Sequence, residues 1–582
     1  MSRPRKSRLN VSATLVAARP LHVGGFGSDI ETDLPLARDG RGRRYIPGTS
    51  FAGAIATWIA GAFGNDQLKA VFGYQKQANS GDAIADGWAS WVTVNDALVI
   101  DKDSPDVEIL DGVGIDRETG TAADGIKFDR AVLPKGTQLE FSMEVDVPIE
   151  PELLANDEKE LSPDPAVVRG VIGYFLQHLE ETGLSLGAGQ TRGLGHLELL
   201  PESLSIDQED WSTRAGILNV LKGNSTSVST TDLIHECGIQ PKPLETITWT
   251  VHWEPVGPIM SKSAVDGMAV DTLPFVSAIN HNDVALMLPG ASIKGTLRQR
   301  LECLLRTAMD WPAELPRHNG KRMRHLEQLD VPIARELFGY AKSAKKKKNS
   351  TEPDARRGLL SVSPCYGYRQ KTGAVGKGIS AKNWRDITAA RKTDDQLPTE
   401  PGGDELNQGI TKANLHRTND AGTAWLTKSD HVAIDRWTNA PVDSLLFSTL
   451  EPRGFAWDPI QLTLTLPRLP EDDDEEASSL SPQPTCEISA EALVAAVLTV
   501  LKELREGNIP LGFGVNRGFG SIRVKEIECD ANTASQHLQW LDDEGTHVAL
   551  EKEAAPSDEV VSAWRNTIQQ HQYTPKTAGG KA

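Results

Sequence analysis

The pattern of hydrophobic and polar positions predicts the same series of strands and helices twice along the chain. Strands show apolar residues at every second position, and helices show them three or four residues apart. In the first half, this pattern predicts strands at 10–19, 88–98, 138–147 and 195–199, and helices at 49–63 and 165–182. In the second half, it predicts strands at 247–253, 359–366, 459–466 and 520–527, and helices at 291–308 and 489–506. Each half therefore has the order β-α-β-β-α-β.

Three sequence motifs recur in the same order in both halves. The first is a loop with Asp-x-Pro or Asp-x-x-Pro that leads to Pro-Gly-x-Ser at the start of a helix. The second is GVGIDRETGTAADGIKF, which corresponds to HVAIDRWTNAPVDSLLF. The third is LSLGAGQTRGLGHLEL, which corresponds to IPLGFGVNRGFGSIRV. One shared tripeptide would be a chance event, but three motifs in order indicate a tandem duplication.

The element order is that of a ferredoxin-like unit, the core also found in RNA-recognition modules. We therefore predict an α+β protein with two tandem ferredoxin-like modules and long inserted loops. The modules are placed at 1–209 and 244–530, with a linker at 210–243. The second module carries an insertion at about 341–425, which is either a mobile loop or a small subdomain. Residues 531–582 are expected to form a partly helical tail.

The charge balance alone argues against nucleic acid, because the formal net charge is 61 − 80 = −19. The charge is uneven, however, with an acidic run at Glu471–Glu476 and basic runs at Arg317–Arg324 and Lys345–Lys348. An acidic total therefore does not exclude a basic channel. The Lys345–Lys348 run is either an RNA contact or a solvated charge run.

Cysteine usage and hydropathy indicate a cytoplasmic protein without a membrane segment. The five cysteines lack CxxC spacing, so reduced thiols are expected rather than disulfides or a zinc site. No apolar run is long enough to span a bilayer, and the basic N-terminus lacks the apolar stretch of a signal peptide.

Two glycine loops near the module ends are candidate phosphate-binding elements. A dinucleotide fingerprint requires a strand, then glycines, then a helix, whereas here a helix precedes and a strand follows. Glycine lets backbone amides approach a phosphate, and arginine adds donors. The alternative is a tight turn that needs positive φ. The candidate residues are Gly187, Gly189 and Arg192 in the first loop and Gly512, Gly514 and Arg517 in the second.

The Pro-Gly-x-Ser motifs place a serine at the start of a helix in each half. Ser50 and Ser292 lie where a side chain can cap the helix, and a helix N-terminus can also bind a phosphate. Lys294 fits a phosphate contact, whereas its counterpart is Ala52. Simple helix capping remains the alternative.

Together these motifs resemble the RAMP superfamily and, more narrowly, the guide-RNA-binding backbone subunit of type III CRISPR effector complexes. The resemblance covers about residues 8–205 and 245–528 and matches two such subunits fused in tandem, as in III-D-like systems. It implies guide RNA, complementary single-stranded target RNA and other effector subunits as partners, in antiviral defence. It also implies a thumb hairpin in each module. Residues implied to contact RNA include Gly24 and Gly25 in the first loop and Arg117 and Arg436 on the thumbs.

The resemblance further implies metal-dependent cleavage of the target by an aspartate in the first loop of each module. The matching residues are Asp33 and Asp271, which would also hold a weak, RNA-dependent Mg²⁺ or another divalent cation. Asp271 has one extra residue before the proline, which leaves its alignment open. The neighbouring acids that remain as rivals are Asp29, Glu31, Asp39 and Asp266.

We therefore expect an RNA-guided endoribonuclease with up to two cutting sites. One alternative is a scaffold of the same complex in which both aspartates are structural. Another is a metal-independent endonuclease that processes guide RNA with His22 as its base. An unrelated enzyme with a chance repeat is the remaining possibility.

Overall fold

The fold was analysed in a computed structural model. It describes residues 5–25, 32–75, 87–149, 163–235, 237–242, 244–311, 325–341, 355–372, 375–390, 405–417, 424–467, 488–532 and 558–572. The acidic run at Glu471–Glu476, the basic runs at Arg317–Arg324 and Lys345–Lys348, and the rivals Asp29 and Glu31 lie outside these residues. No described helix has both the length and the apolar character that a membrane crossing requires.

The N-terminal half, residues 5–242, combines one large antiparallel sheet with a separate hairpin and helices. Its strands are β1 (Arg5–Ala17), β2 (Tyr45–Ile46), β3 (Tyr74–Gln75), β4 (Gly87–Trp88), β5 (Val92–Val94), β6 (Ala97–Val99), β7 (Glu108–Ile115), β8 (Ala122–Val132), β9 (Gln138–Pro148), β10 (Leu184–Ser185), β11 (His196–Leu199), β12 (Ser205–Asp210) and β13 (Thr226–Ser227). Its helices are α1 (Gly48–Phe63), α2 (Asn65–Phe72), α3 (Pro165–Glu181), α4 (Arg214–Leu221) and α5 (Thr230–Ile234).

The main sheet of this half has the order β10-β11-β1-β9-β6-β2, with β1 antiparallel to β9 and β11. Alternate residues of β1, including Leu9 and Leu15, point into the core because successive strand side chains face opposite sides. Helix α1 packs Phe51 against Phe141 of β9, with ring centroids 5.2 Å apart. Helix α3 buries Phe175 in the same core.

The C-terminal half, residues 244–572, contains a second sheet and a second hydrophobic core. Its strands are β14 (Thr246–Pro255), β15 (Val276–Ala278), β16 (Asp283–Leu288), β17 (Gly339–Ala341), β18 (Ala355–Arg357), β19 (Leu360–Val362), β20 (Cys365–Tyr368), β21 (Gln370–Thr372), β22 (Val375–Lys377), β23 (Ile379–Ser380), β24 (Trp425–Ile434), β25 (Pro441–Arg453), β26 (Ala456–Trp457), β27 (Ile460–Thr465) and β28 (Ile522–Asn532). Its helices are α6 (Gly290–Ala308), α7 (His325–Gln328), α8 (Ala334–Phe338), α9 (Ala381–Ala389), α10 (Glu405–Lys412), α11 (Ala490–Arg505) and α12 (Asp558–Gln570).

The second sheet has the order β19-β27-β14-β28, all antiparallel. Its central strand β14 buries Ile247, Trp249 and Val251 on one face. Helices α6 and α11 pack on this face through residues such as Leu297 and Val497. The central strand of each half thus lies between the strand before the second long helix and a strand after that helix.

Two strands that were predicted as continuous are interrupted, each for a local reason. The segment predicted at 88–98 breaks between β5 and β6, where Asp96 accepts a hydrogen bond from the Gly48 backbone at 2.8 Å. The segment predicted at 359–366 breaks between β19 and β20 at Pro364, which has no N–H for a strand ladder.

The expected linker, insertion and tail all contain regular structure. Within 210–242, α5 packs on α3, so these residues are attached to the N-terminal half. Within 341–425, α9 and α10 bury Trp384 and Ile410 in the second core, which favours a small subdomain for the described part of the insertion. In the tail, α12 packs on α11.

The two halves contact each other through part-buried polar groups. The Glu108 carboxylate at the base of β7 accepts a hydrogen bond from the Ala278 backbone at 2.6 Å. Nearby, the Lys135 ammonium lies 4.9 Å from the centroid of the Tyr366 ring, which is close enough for a cation–π contact. Burial raises the pKa of Glu108 to about 7.

We expect Glu108 to make stability depend on pH. At pH values between the ordinary pKa of a glutamate and about 7, Glu108 holds a proton in the folded state that it has lost in the unfolded chain. The free energy of unfolding therefore falls as the pH rises through this window. The total loss should be about 3 kcal/mol. Glu108→Gln keeps an acceptor for Ala278 and should flatten the pH dependence of urea unfolding between pH 5 and 8. The exposed Glu140→Gln variant is the control, and equal pH profiles for both variants would contradict the prediction.

Candidate functional site

Asp33 and Asp271 occupy equivalent positions beside a long hairpin. The Asp33 N–H donates to the Asp129 carboxylate at 2.6 Å, and the Asp129 N–H donates back to the Asp33 carboxylate at 3.0 Å. In the C-terminal half, the Ser448 N–H and hydroxyl both donate to the Asp271 carboxylate, at 2.7 and 3.0 Å. Each aspartate therefore joins its loop to the returning strand of the hairpin, β8 or β25.

The residue after each aspartate forms a β-bridge, and these two bridges show which positions of the two loops correspond. Leu34 forms a parallel bridge with Arg130, and Thr272 forms one with Thr449. Asp33 and Asp271 therefore correspond, and the extra residue before Pro274 is accommodated after the bridge. The sequence analysis missed the hairpin partners Asp129 and Ser448. They could have been found by aligning GIKFDR with SLLFST.

The donor set for a metal differs between the two halves. The first half offers two carboxylates, Asp33 and Asp129, whereas the second offers Asp271 beside a serine hydroxyl. No cluster of three or more possible metal ligands occurs in the described parts of the chain. Of the described rivals, Asp39 is used in its own turn, where it accepts hydrogen bonds from Arg41 and Arg43.

The hairpins β7–β8 and β24–β25, which we name the first and the second thumb, have the same turn at their tips. The Asp116 carboxylate accepts hydrogen bonds from the backbone of Glu118 and Thr119. The Asp435 carboxylate does the same for Trp437 and Thr438. The Ile-Asp-Arg motif thus forms an aspartate-capped turn in both thumbs.

The tip of the first thumb, Ile115–Arg117, is docked on the C-terminal half. Arg117 pairs with Glu302 of α6 at 2.7 Å, and Arg298 pairs with the other carboxylate oxygen at 2.6 Å. Gln328 donates to Asp116 at 2.9 Å and accepts the Arg117 N–H at 2.8 Å. The Gln328 hydrogen bond is the main cause that lowers the pKa of Asp116 to about 2. Arg117, predicted to contact RNA, is therefore engaged with protein.

The tip of the second thumb, Ile434–Trp437, is exposed. The Trp437 side chain is 95% accessible and the Ile434 side chain 50%. Arg436 is exposed as well. The candidate RNA contacts Arg117 and Arg436 thus occupy equivalent turns but different surroundings.

The two glycine loops have similar positive φ values at their equivalent glycines. Gly187 and Gly512 have φ values of 80° and 86°, and Gly189 and Gly514 have 76° and 71°. A Cβ on Gly187 would lie 2.4 Å from the His22 carbonyl oxygen, so the conformation and the space both require glycine. The tight-turn interpretation of these glycines is thus supported, and it does not conflict with a phosphate contact by the arginines.

The arginines of these loops have different neighbours. Arg192 lies in the loop that packs on the C-terminal half, where a Cβ on Gly290 would lie 2.8 Å from the Arg192 carbonyl oxygen. Arg517 stacks on Phe447 of the second thumb, with 4.7 Å between its guanidinium carbon and the ring centroid. A Cβ on Gly518 would meet no described atom within 4 Å, whereas one on the equivalent Gly193 would lie 2.8 Å from Pro364.

The Pro-Gly-x-Ser serines do not cap their helices, so this prediction was wrong. Pro47 and Pro289 are the N-cap residues, and neither helix has a side-chain cap. Ser50 lies in the first turn, and its N–H donates to the Pro47 carbonyl at 2.9 Å. Ser292 makes the same bond to Pro289. Each helix begins at the glycine of the motif, so the preceding proline occupies the cap position and the serine lies inside the first turn.

Lys294 lies in the interior rather than at an open phosphate site. Its side chain is 4% exposed, and its ammonium donates to the Leu360 carbonyl at 2.6 Å. Burial, and then the positive charges of Arg192, Arg298 and Arg357, lower its pKa to about 7. A direct phosphate contact by Lys294 does not fit this position.

The first-loop residues His22, Gly24 and Gly25 are also tied to the fold. His22 is 4% exposed, and its Nδ1 lies 2.7 Å from the Ala131 carbonyl. Burial lowers the pKa of His22, and its counterpart in the second half is Met260. Gly24 bridges to Leu36, and the Gly25 N–H donates to the Pro35 carbonyl.

Comparison of the sequence with known proteins found one family match. No curated protein matches the chain. A family model matches the region that holds the first sheet, the Asp33 loop, the first thumb and the first glycine loop. The matching model is that of the RAMP superfamily, and the match covers residues 14–198.

Proposed function

We propose that this chain is a fused double backbone subunit of a type III, III-D-like CRISPR effector, which binds guide RNA and cuts complementary target RNA. The RAMP match suggests a CRISPR-associated RNA-binding role. The observation that carries the finer proposal is the duplicated pairing of an aspartate loop with a thumb strand, at Asp33–Asp129 and Asp271–Ser448.

Two tandem ferredoxin-like modules account for the repeated arrangement. In both sheets, the first strand of the half lies between the strand that precedes the second long helix and a strand that follows this helix. Both thumbs end in the same aspartate-capped turn. The two glycine loops repeat their positive φ values at equivalent positions. A duplicated module predicts each of these correspondences, whereas a chance repeat predicts none of them.

A cluster of cations at the junction between the halves supports RNA binding by this acidic chain. The junction cations are Arg130, Arg192 and Arg357. Besides the effect of burial, Arg192 lies close enough to Arg130 and to the buried Lys294 to lower the pKa of both, and Arg357 also lowers the pKa of Lys294. Arg130, Arg192 and Arg357 make no salt bridge with described residues, and the Arg130 Nε is buried without a hydrogen-bond partner. Arg192 and Arg357 are exposed and Arg130 is half-buried, so a phosphate can reach them and would supply the missing negative charge.

Cleavage would use the nucleophile that RNA carries. The 2′-oxygen attacks the adjacent phosphorus, the P–O5′ bond breaks, and a 2′,3′-cyclic phosphate forms. The 2′-hydroxyl proton leaves to a base, and the 5′-oxygen takes up a proton. Asp33 and Asp271 are the carboxylates placed to accept the first proton or to hold a cation.

The first half has the better donor set for Mg²⁺, because Asp33 and Asp129 can supply two carboxylates and RNA can supply phosphate oxygens. In the second half, Asp271 would act without a second carboxylate from the thumb. A bound Mg²⁺ supplies positive charge that stabilises the transition state. These residues fit a weak, RNA-dependent ion.

A scaffold without catalysis is the second candidate. It is favoured by the hydrogen bonds that both aspartates accept from the thumb strands, since these bonds give each aspartate a structural role. Guide processing by His22 is disfavoured, because the imidazole is buried and hydrogen-bonded to the backbone.

We expect Asp33→Asn and Asp271→Asn each to abolish one cut in the target RNA. Asparagine keeps an oxygen for the thumb N–H but removes the charge, so the loops should stay docked. Each variant should slow its own cut by at least about 100-fold while target binding persists. The measurement is target cleavage by the assembled, guide-loaded complex on a denaturing gel, with Mg²⁺ or EDTA.

The matched control for these variants is Asp266→Asn, which changes an exposed acid of the same loop that pairs with Lys262. It should cut like the wild type. If both asparagine variants also give wild-type cutting, the chain is a scaffold and the catalytic groups lie on another subunit.

We expect Arg192→Gln to weaken RNA binding in a salt-dependent way. A plot of log affinity against log salt concentration has a negative slope for RNA binding. Loss of one phosphate contact should make this slope less steep by about 0.7 for single-stranded RNA. The measurement is fluorescence anisotropy of a labelled guide RNA with the full chain at several salt concentrations. Lys222→Gln makes the same charge change at an exposed helix end and should leave the slope unchanged. Equal slopes for both variants would refute a phosphate contact by Arg192.

A further inference from the structure

The base of the first thumb is bonded to the other half of the chain. Glu108 is the first residue of β7 and lies opposite Val132 of β8. Its carboxyl group accepts the Ala278 N–H of β15, so one side chain joins the thumb to the C-terminal half. The equivalent residue of the second thumb is Thr427, which is exposed and lies opposite Glu451. A titratable carboxyl group at this hairpin position therefore occurs in the first half alone.

Three buried oxygen atoms around this contact make no hydrogen bond of ordinary length and angle with described residues. They are Glu108 Oε2, Ser277 Oγ and the Tyr366 hydroxyl oxygen. Ser277 and Tyr366 are 0% and 2% exposed, so water has little access to the place where the three atoms lie. A carboxylate is costly in such a place unless a positive charge compensates it. The neutral, protonated form of Glu108 therefore fits the closed contact best.

The groups around Glu108 do not compensate a negative charge. Burial is the main cause that raises its pKa, while the Ala278 N–H and the nearby Ser277 hydroxyl oppose this rise, and no cation contributes. The charged and ionisable groups on the neighbouring elements are Tyr366, Lys135 over its ring, Asp458, Arg19, the exposed His281, and the exposed pair of Asp106 and Arg385.

The strand opposite Glu108 also holds the candidate catalytic loop of the first half. Val132 follows Asp129 by three positions on β8. Asp129 exchanges hydrogen bonds with Asp33, as described above. A movement of the thumb base would therefore move the strand that fixes the Asp33 carboxylate.

We propose that Glu108 is a positioning residue for the first cutting site, and that loss of its proton detaches the base of the first thumb from the C-terminal half. This inference rests on the proposed function, because it concerns the cut assigned to Asp33. With its proton, Glu108 keeps the contact with Ala278 closed. Without the proton, the charge draws water into the junction, and the Asp33 loop loses its fixed place. The second site has Thr427 at the equivalent position and should not respond.

The test compares the initial rates of the two cuts in target RNA, made by the assembled, guide-loaded complex at pH 6 and pH 8. The pKa of Glu108 is raised to about 7, so its proton is bound at the lower pH and lost at the higher one. The ratio of the first cut to the second should therefore fall at least about threefold from pH 6 to pH 8. The ratio cancels effects of pH that both cuts share. Equal ratios at the two pH values would overturn the inference.

Variants of Glu108 separate the effect of its proton from that of its hydrogen bond. Glu108→Gln cannot ionise and keeps an acceptor for Ala278, so its ratio should stay at the wild-type value of pH 6. Glu108→Ala removes the acceptor and should give the low ratio at both pH values. Asp106→Asn changes an exposed acid two positions away and should keep the wild-type pH dependence. A ratio that still depends on pH in Glu108→Gln would assign the effect to another group, such as His281, and would refute the inference.

Hydrogen exchange of the full chain gives a readout that needs neither RNA nor cutting. Exchange of the backbone amides at 276–279, corrected for its intrinsic pH dependence, should become faster between pH 6 and pH 8 in the wild type but not in Glu108→Gln. If the complex cuts at neither site, the proposed function fails, and this exchange still decides whether Glu108 controls the junction. If both sites cut while the corrected exchange is independent of pH, the proposed function stands and the inference fails.

Discussion

A buried charge network holds the two halves together, and the placement of the first candidate site depends on it. Arg117 and Arg298 share the carboxylate of Glu302, which is almost inaccessible to water. Removal of one arginine would leave the buried Glu302 carboxylate paired with a single positive charge, which is costly where water cannot reach it. Because the docked thumb carries Asp129 at its base, the network that fixes the tip also fixes the strand to which the Asp33 loop is bonded.

The two halves repeat much of their backbone but differ in what surrounds the aspartate loop and the hairpin tip. The Asp33 loop faces a second carboxylate, whereas the Asp271 loop faces a serine. The thumb of the first half is covered by protein, and that of the second half is open. The shared backbone therefore carries two aspartate loops with different neighbouring side chains and different surroundings. Such asymmetry is expected when one module has a neighbour within the chain and the other does not.

Net charge is a poor guide to whether a chain can bind RNA, because charge acts locally. The total of −19 includes acidic residues spread over the chain, whereas Arg130, Arg192 and Arg357 gather at the junction without described salt-bridge partners. Screening in water limits the reach of distant charges to about 10 Å at ordinary ionic strength. A phosphate at the junction would therefore respond to these cations more than to the acidic total.

The sequence by itself determined the main strands and helices of each half and the repeated motifs, because strand and helix periodicity and turn-forming glycines are local properties. The correspondence of Asp33 with Asp271 was settled only by the bridges of Leu34 and Thr272. The sequence did not reveal that Lys294 is buried, that Pro47 rather than Ser50 takes the cap position, or that Arg117 binds Glu302. Each of these facts depends on how elements meet in space. Arg117 and Glu302 lie 185 positions apart, and no local pattern records such a pairing. Only packing of one half on the other decided which cations are covered and which remain open to a ligand.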